Sequence, residues 1–243
     1  MDQKVFLAGA TGAIGTPLSA LLLDAGFVVY GSTRRRDRAA ALNAYGIVPV
    51  VVDVFDVGAL AAAMQEIAPW AVIHQLTDLP RDLSPALMAE ASIRNARLRD
   101  EGTRNLVTAA EAAGVERLVA QSIAWAYAPG PTPYVEDMPL DIEAVGTRAI
   151  SVGGVVALER AVLGAKVSVA TVLRYGQLYG PGTSTAVPTG VSPVHVEAAA
   201  AAAALALQYS KGGVFNVSDD SPQVSNAKAK RELGWDPSAR LPD

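Results

Sequence analysis

The sequence predicts an α/β protein built on a doubly wound parallel sheet, with a small discontinuous C-terminal substrate region. Three observations carry this prediction. Strand-like and helix-like segments alternate between residues 5 and 173, the strands are apolar throughout, and the first strand runs into a glycine-rich turn. Apolar strands that alternate with helices are typical of a parallel sheet covered on both faces.

The segments follow one another in a regular order. Short apolar runs predict strands at residues 5–9, 27–32, 47–53, 71–76, 118–122 and 167–173. Apolar residues at helical spacing predict helices at residues 13–25, 38–44, 57–67, 85–113 and 151–163. The alanine-rich run 198–207 is too short to span a membrane, so we interpret it as a tightly packed buried helix.

Three stretches rich in Pro, Gly, Ser, Asp or Thr interrupt this alternation, at residues 128–146, 180–193 and 218–226. Each follows the carboxyl end of a predicted strand, where open α/β sheets bind their ligands. We therefore expect residues 1–180, completed by 194–217, to form the nucleotide-binding domain. Residues 181–193 and 218–243 are expected to form the substrate region.

Composition excludes several classes of function. The chain has 243 residues, no cysteine and a net charge of −4, so thiolate chemistry is excluded and a nucleic-acid partner is disfavoured. Two separated histidines, His74 and His195, do not suggest a metal site, and we expect no metal. Without a visible secretory signal or membrane-spanning run, we expect a cytoplasmic protein with a small-molecule substrate, which could form a homodimer.

The turn after the first strand has the spacing of a dinucleotide-binding motif. Gly9, Gly12 and Gly15 form G-x-x-G-x-x-G between a strand and a helix, with Thr11, Ala13 and Ile14 between them. Glycines allow a tight turn and close backbone approach to a pyrophosphate, which the helix N-terminus attracts. In this strand–turn–helix context the motif predicts a Rossmann fold that binds a nicotinamide cofactor.

The end of the second strand selects the cofactor. An NAD site usually places an acid there, whereas this chain has Thr33 followed by Arg34 and Arg35, and its first acid is Asp37. Asp37 could cap the helix that follows, and the arginines could bind a 2′-phosphate. We therefore expect NADP, with NAD as the alternative. The third strand would bring two further residues, Asp53 and Val54, near the adenine.

Six segments together resemble one known family: TGAIG, VVDVFD, EGTRNLVTAAEAAGVERLV, LRYGQLYGPG, PVHVEAAAAAAALAL and SNAKAKRELGWDP. On these the chain resembles the short-chain dehydrogenase/reductase superfamily, in particular its extended NAD(P)-dependent epimerase/dehydratase-like branch. The resemblance covers nearly the whole chain and implies an NAD(P)-binding oxidoreductase or epimerase that acts on a small metabolite. It also implies cofactor contacts at Leu76, Thr77, Gln121, Arg174 and Tyr175.

The chain departs from this family at its catalytic pair. The family starts one helix with Tyr-x-x-x-Lys and places a glutamate four residues after the lysine. Anchoring on Glu159 puts the lysine position at Val155 and the tyrosine position at Ser151, so both functional groups are missing. The family's catalytic Ser or Thr position falls on Ile123, one residue from Ser122. The resemblance therefore implies an atypical member.

Another group would then have to transfer protons, and such a group contributes on the order of 10²–10⁴-fold to a rate. The catalytic candidates on the ligand side of the sheet are Tyr127, Asp78 and Ser122, with Arg81 near Asp78. Each also has a structural interpretation; Asp78, for example, could cap a turn.

Three functions are compatible with these observations. The first is the enzyme just described, and the second is a nucleotide-binding sensor or regulator without catalysis. The third is a non-redox isomerase or cyclase that uses the same pocket. The connections through residues 182–188 and 220–226 are short for the family, so we also expect chain breaks there, where mobile lid residues are missing.

Overall fold

A computed structural model describes residues 3–80 and 85–241, and it confirms the predicted fold class. Seven parallel strands form one sheet, in the order β3-β2-β1-β4-β5-β6-β9. These strands are β1 (Lys4–Ala8), β2 (Val28–Thr33), β3 (Val48–Val51), β4 (Ala71–His74), β5 (Arg117–Ile123), β6 (Val169–Tyr175) and β9 (Gly213–Val217). Two short strands, β7 (Gln177–Tyr179) and β8 (Pro193–His195), form a separate parallel pair.

Helices cover both faces of the large sheet. They are α1 (Gly15–Asp24), α2 (Ala39–Ala44), α3 (Val57–Ile67), α4 (Pro85–Arg97), α5 (Thr103–Ala112), α6 (Gly146–Leu163) and α7 (Val196–Gln208). One apolar core joins α1 and α7 to the sheet, and a second joins α3, α5 and α6 to it. Strand β1 pairs with β2 on one side and with β4 on the other, so the winding direction reverses at β1. Ligands of open α/β sheets bind at such a switch point.

Helix α7 is the buried alanine-rich helix that the sequence predicts. Its alanines are almost fully enclosed, which lets its backbone approach α1 and the sheet closely. The C-terminal segment packs against it, as expected: the Trp235 indole N–H donates to the carbonyl oxygen of Ala198 at 2.8 Å, and Leu233 lies in the same core. Within the described parts of the chain, none of the helices is both long and apolar enough to cross a membrane.

The predicted helix 85–113 is divided into three parts. Helix α4 ends at Arg97, a turn of π-helix follows at Leu98–Gly102, and α5 begins at Thr103. A side chain at Gly102 would lie 2.9 Å from Leu98 Cδ1 and 3.2 Å from Val54 Cγ1, so glycine permits the close packing of this turn. Helix α6 begins at Gly146, before the predicted start at residue 151.

The expected chain breaks are wrong, because the structure describes both windows as continuous chain. In the first window the backbone N–H of Gly180 donates to Thr185 O at 2.9 Å and closes a tight loop. In the second, Tyr134 N–H donates to Gln223 O at 2.8 Å, and Ser225 N–H donates to Tyr134 O at 2.9 Å. Short hydrogen-bonded turns therefore connect the flanking elements in both windows.

Candidate nucleotide groove and reaction site

A cavity of about 300 Å³ opens at the switch point, where β1 and β4 end. Its walls come from the turn after β1, the end of β2, the β3–α3 connection and the segment after β4. Among the residues that the sequence predicts for the site, these line the groove: Gly9, Thr11, Gly12, Thr33, Arg34, Arg35, Val54, Leu76, Thr77 and Asp78. The groove therefore unites side chains and backbone from four separate connections.

The glycine turn has the shape that a pyrophosphate requires. Gly9 has a φ of +94°, and its carbonyl oxygen accepts from the N–H of Gly12 at 3.0 Å. A side chain at Gly15 would lie 2.1 Å from Gly9 O, so only glycine lets α1 begin directly against the turn. No side chain caps the N-terminus of α1 and its first turn holds no acid, which leaves this end able to bind an anion.

Three other residues predicted in this turn do not line the groove. Ile14 is buried in the core, and Ala13 lines a different cavity, of about 650 Å³, between α1 and α2. Gly15 does not line the groove either, and its role is to let α1 pack closely against the turn.

Three arginines line the groove at the end of β2. The predicted helix cap by Asp37 is wrong, because its carboxylate accepts from the Nε and Nη2 of Arg35 instead. This hydrogen bond lowers the pKa of Asp37 and raises that of Arg35. Arg34 and Arg38 make no ion pair within residues 3–80 and 85–241. Sequence reasoning missed Arg38, although its spacing of four from Arg34 was a signal.

The adenine side of the groove contains Val54 but not the carboxylate of Asp53. Asp53 Oδ1 accepts from the Phe55 N–H at 3.0 Å and shapes the connection after β3. Phe55 itself lines the groove. The Arg97 guanidinium stacks on the Phe55 ring, 4.3 Å from its centroid. Neither residue is predicted for this role from the sequence, because nothing local distinguishes them from ordinary surface residues.

His74 fixes the wall formed by the segment after β4. Its side chain is 1% exposed, and its Nδ1 accepts from the Leu76 N–H at 3.2 Å. The ring proton therefore lies on Nε2, which donates to Thr103 Oγ1 at 3.0 Å. Burial lowers the pKa of His74 to about 4, so the ring stays neutral and holds Leu76 against the groove.

A buried polar network lies beneath α6, between β5, β6 and β9. Arg174 donates to both oxygens of Glu159, at 2.9 and 2.7 Å, and the two side chains are 6% and 7% exposed. The Ser122 hydroxyl donates to Glu159 Oε1 at 2.7 Å. Arg174 also donates to the Tyr127 hydroxyl at 2.9 Å, which in turn donates to Asn216 Oδ1 at 2.6 Å.

This network contains three residues that the sequence predicts for the site. Ser122 and Tyr127, named as catalytic candidates, both have hydroxyls that are committed to buried partners. Burial also raises the pKa of Tyr127, which makes it a poorer acid. Arg174, predicted to contact the cofactor, holds Glu159 instead and does not line the groove.

Two other predicted cofactor residues also lie off the groove. Tyr175 is enclosed in the apolar core, and burial raises its pKa. Its hydroxyl accepts from Gln75 Nε2 at 3.4 Å. Gln121 is half-buried on β5. Gln75, which does line the groove, was missed because an amide after a strand carries no specific signal.

Helix α6 carries no acid–base pair at the family positions. Val155 is fully buried in a small apolar cluster with Ile123 and Val152. Ser151 lines a cavity of about 450 Å³ between α4, α6 and the segment after β5. Of the three catalytic candidates only Asp78 lines the nucleotide groove; its backbone N–H donates to Asn95 Oδ1 at 2.9 Å. The fourth candidate, Arg81, lies outside the described residues.

With this geometry established, the chain can be compared with known proteins. A family profile described as NAD(P)H-binding matches residues 9–149, which include the glycine turn and the arginines at the end of β2. The chain belongs to this NAD(P)H-binding family. The prediction of an NAD(P)-binding, reductase-like family is confirmed.

One relative within the NAD(P)H-binding family is a 3-diazoavenalumate denitrifying reductase from Streptomyces sp.. It is 40% identical over 266 residues, which cover 99% of this chain and 84% of the relative. The matched region is longer than the 243 residues of this chain. The relative therefore carries segments that have no counterpart here.

Solved structures with the same fold bind NAD or a sugar nucleotide. WbmG from Bordetella bronchiseptica, in complex with NAD, has a TM-score of 0.73 and 21% identity, over 99% of this chain and 91% of that one. UDP-glucose 4-epimerase from Thermotoga maritima, with UDP-glucose, has a TM-score of 0.77 and 18% identity, over 98% and 94%. The enzyme from Thermus thermophilus, in complex with NAD, has a TM-score of 0.76 and 21% identity, over 98% and 95%.

Proposed function

We propose that the protein is an NADP(H)-dependent reductase that replaces the diazo group of a small aromatic compound by hydrogen and releases dinitrogen. One observation carries this proposal. The chain combines a groove suited to a nicotinamide dinucleotide with a helix α6 that has Ser151 and Val155 in place of the family's tyrosine and lysine. Such a site can bind a substrate that takes up a hydride, but it cannot deliver a proton through the family's tyrosine and lysine.

The chemistry of the acceptor explains why the pair is dispensable. Reducing a carbonyl requires a proton at oxygen, and a positioned acid contributes on the order of 10²–10⁴-fold. When bound, the reduced nicotinamide would supply a hydride. An aryldiazonium group that gains a hydride forms a C–H bond, breaks its C–N bond and loses N₂, with all charges balanced and no proton required. The denitrifying reductase of a diazo compound that is 40% identical supports this choice of acceptor.

The cavity beside Ser151 supports an aromatic substrate. Its walls are mainly apolar and include Met88, Ile123, Val152 and Trp125, whose side chain is 38% exposed. Such walls suit a flat ring, which gains by stacking on an indole face. Arg148 is held at the rim by hydrogen bonds to the carbonyl oxygens of residues 125 and 127 and to a carboxylate, so its charge is already satisfied.

We also propose that two segments, residues 181–193 and 218–243, form the substrate region. Pro181 and Gly182 line the larger cavity beside Thr11 and Gly12, which supports a place for them near the ligand side of the sheet.

The reaction can be tested with NADPH that carries deuterium at the transferred position and with benzenediazonium as acceptor. We expect consumption of NADPH above the rate without protein, with deuterium incorporated into the arene. A parallel reaction in D₂O with unlabelled NADPH should leave the arene unlabelled. Deuterium from the solvent, or no rate above background, would exclude the proposed hydride transfer.

The preference for NADP(H) rests on the arginines that line the groove. Arg34 and Arg38 are the groove cations without an ion pair in the described chain, and charge-assisted hydrogen bonds to a phosphate are worth roughly 1.5–3 kcal/mol. We expect NADPH to bind at least about tenfold more tightly than NADH in calorimetry. Arg34→Gln should remove most of this preference. Arg36→Gln is the matched control, because Arg36 is exposed and does not line the groove.

A second candidate function is a nucleotide sensor without catalysis. The observation that favours it is the same loss of acid–base groups at residues 151 and 155. A sensor would bind NADPH with the predicted preference but would transfer no deuterium to any acceptor, so the two experiments together separate the alternatives.

A further inference from the structure

Arg99 is a buried cation that lacks a partner among the described residues. It lies in the π-helical turn Leu98–Gly102, directly after Leu98, which lines the nucleotide groove. The residue is only 6% exposed. No hydrogen bond or ion pair joins its side chain to any residue in 3–80 or 85–241. Burial lowers the pKa of Arg99 to about 10, so it remains charged at neutral pH.

The neighbouring arginines, in contrast, are exposed and paired with carboxylates. Arg94, Arg97 and Arg104 are exposed, and each lies within 4 Å of a carboxylate. The acid that faces Arg99 is Glu159, but Arg174 and Ser122 already hold both of its oxygens. The buried layer therefore carries one positive charge in excess. A buried charge without a hydrogen-bonded partner is costly, and binding an anion would relieve that cost.

The position of Arg99 relates it to the missing lysine. A side chain at Gly154 would lie 2.9 Å from the Cα of Ala96, so α4 and α6 pack closely there. Both helices follow parallel strands and run in the same direction. Three residues beyond Ala96, Arg99 lies in the π-helical turn that packs on α6, and the charge it faces there is Glu159, one helical turn beyond Val155. The chain thus has a cation on the element next to α6, although residue 155 is a valine.

We propose that Arg99 is the anion-binding residue of the reaction site and takes an oxyanion, carboxylate or phenolate, carried by the aromatic substrate. This inference rests on the proposed function and narrows its substrate to acidic aryl compounds. A phenolate oxygen on the ring donates electrons to the ring and weakens the electrophile, and a guanidinium that binds this oxygen offsets the effect.

The test compares charged and neutral probes in the complex of the protein with NADP⁺, which cannot reduce them. By calorimetry, benzoate should bind at least about tenfold more tightly than benzamide, as expected for charge-assisted hydrogen bonds. Ionised 4-nitrophenolate is the phenolate probe. Comparing its affinity with that of benzoate shows whether Arg99 prefers a phenolate or a carboxylate. Arg99→Gln should remove the preference for the anion and Arg99→Lys should retain most of it. The control Arg104→Gln removes an exposed, ion-paired charge from the adjoining helix and should leave the preference for benzoate unchanged.

A stability measurement separates binding from a structural role. Because the cation is uncompensated, Arg99→Met should melt at or above the temperature of the unmodified protein while losing the preference for benzoate. The proposal is overturned if Arg99→Gln and Arg99→Met keep the preference within about threefold, or if the unmodified protein does not distinguish benzoate from benzamide. These measurements involve no turnover. Failure of deuterium transfer with an intact anion preference therefore removes the reductase proposal and leaves the anion site.

Discussion

Breaking the ion pair between Glu159 and Arg174 should destabilise the protein strongly without weakening cofactor binding. The pair is bidentate, at 2.9 and 2.7 Å, and both side chains are more than nine-tenths buried. Removing one member of a buried pair typically costs about 3–5 kcal/mol, because the other charge is left unpaired. For a chain of this size each kcal/mol lowers the melting temperature by roughly 2–4 °C, so Arg174→Met should melt roughly 10 °C lower.

The double variant Glu159→Leu with Arg174→Met isolates the cause of this loss. It removes both charges, so it should lose clearly less than the sum of the two single variants. The control is Arg97→Gln, which breaks the exposed pair with Glu101 and should cost at most about 1 kcal/mol. Urea unfolding followed by tryptophan fluorescence gives the free energies, and calorimetry at a temperature where all variants are folded gives the NADPH affinity.

One pattern of results would refute the structural role of Arg174. If Arg174→Met lost less than about 1 kcal/mol of stability while NADPH bound more than tenfold more weakly, the guanidinium would be a cofactor ligand after all. Additive losses in the double variant would equally show that the two side chains do not act as a pair.

Four further predictions test the groove, the reaction site and the buried groups around them. Gly15→Ala should weaken NADPH binding at least tenfold, since its Cβ would meet a carbonyl oxygen at 2.1 Å, whereas Gly153→Ala, with nothing within 4 Å, should not. Ser151→Ala should leave turnover within about twofold, because a serine there is not needed for hydride transfer. Tyr127→Phe should lower the melting temperature but have little effect on turnover, because the Tyr127 hydroxyl joins two buried groups. For His74, burial lowers the folded pKa to about 4, so the unfolded chain takes up the proton first as pH falls. Stability should decline by roughly 3 kcal/mol between about pH 6.5 and pH 4, and His74→Gln should lose this dependence in urea titrations.

The site was only partly predictable, and the difference has a physical cause. Gly9 and Gly12 could be predicted because both belong to one local motif directly after β1, and Thr33 because it ends β2. Arg174 and Ser122 also follow this pattern of strand-end residues. Whether their polar groups face the ligand depends on partners 15 and 37 residues away in sequence, which no local pattern specifies.

The sequence by itself determined the fold class, the glycine turn after β1 and the absence of a Tyr-x-x-x-Lys pair at residues 151 and 155. These follow from local periodicity, from the conformational freedom of glycine and from which side chains are present. Tertiary structure alone decided how the buried charges are paired. Helices α4 and α6 pack together at Ala96 and Gly154. This contact brings the turn that contains Arg99 against α6, while Glu159 is already engaged by Arg174. Pairing depends on distances between segments far apart in the chain, and only the packed fold defines those distances.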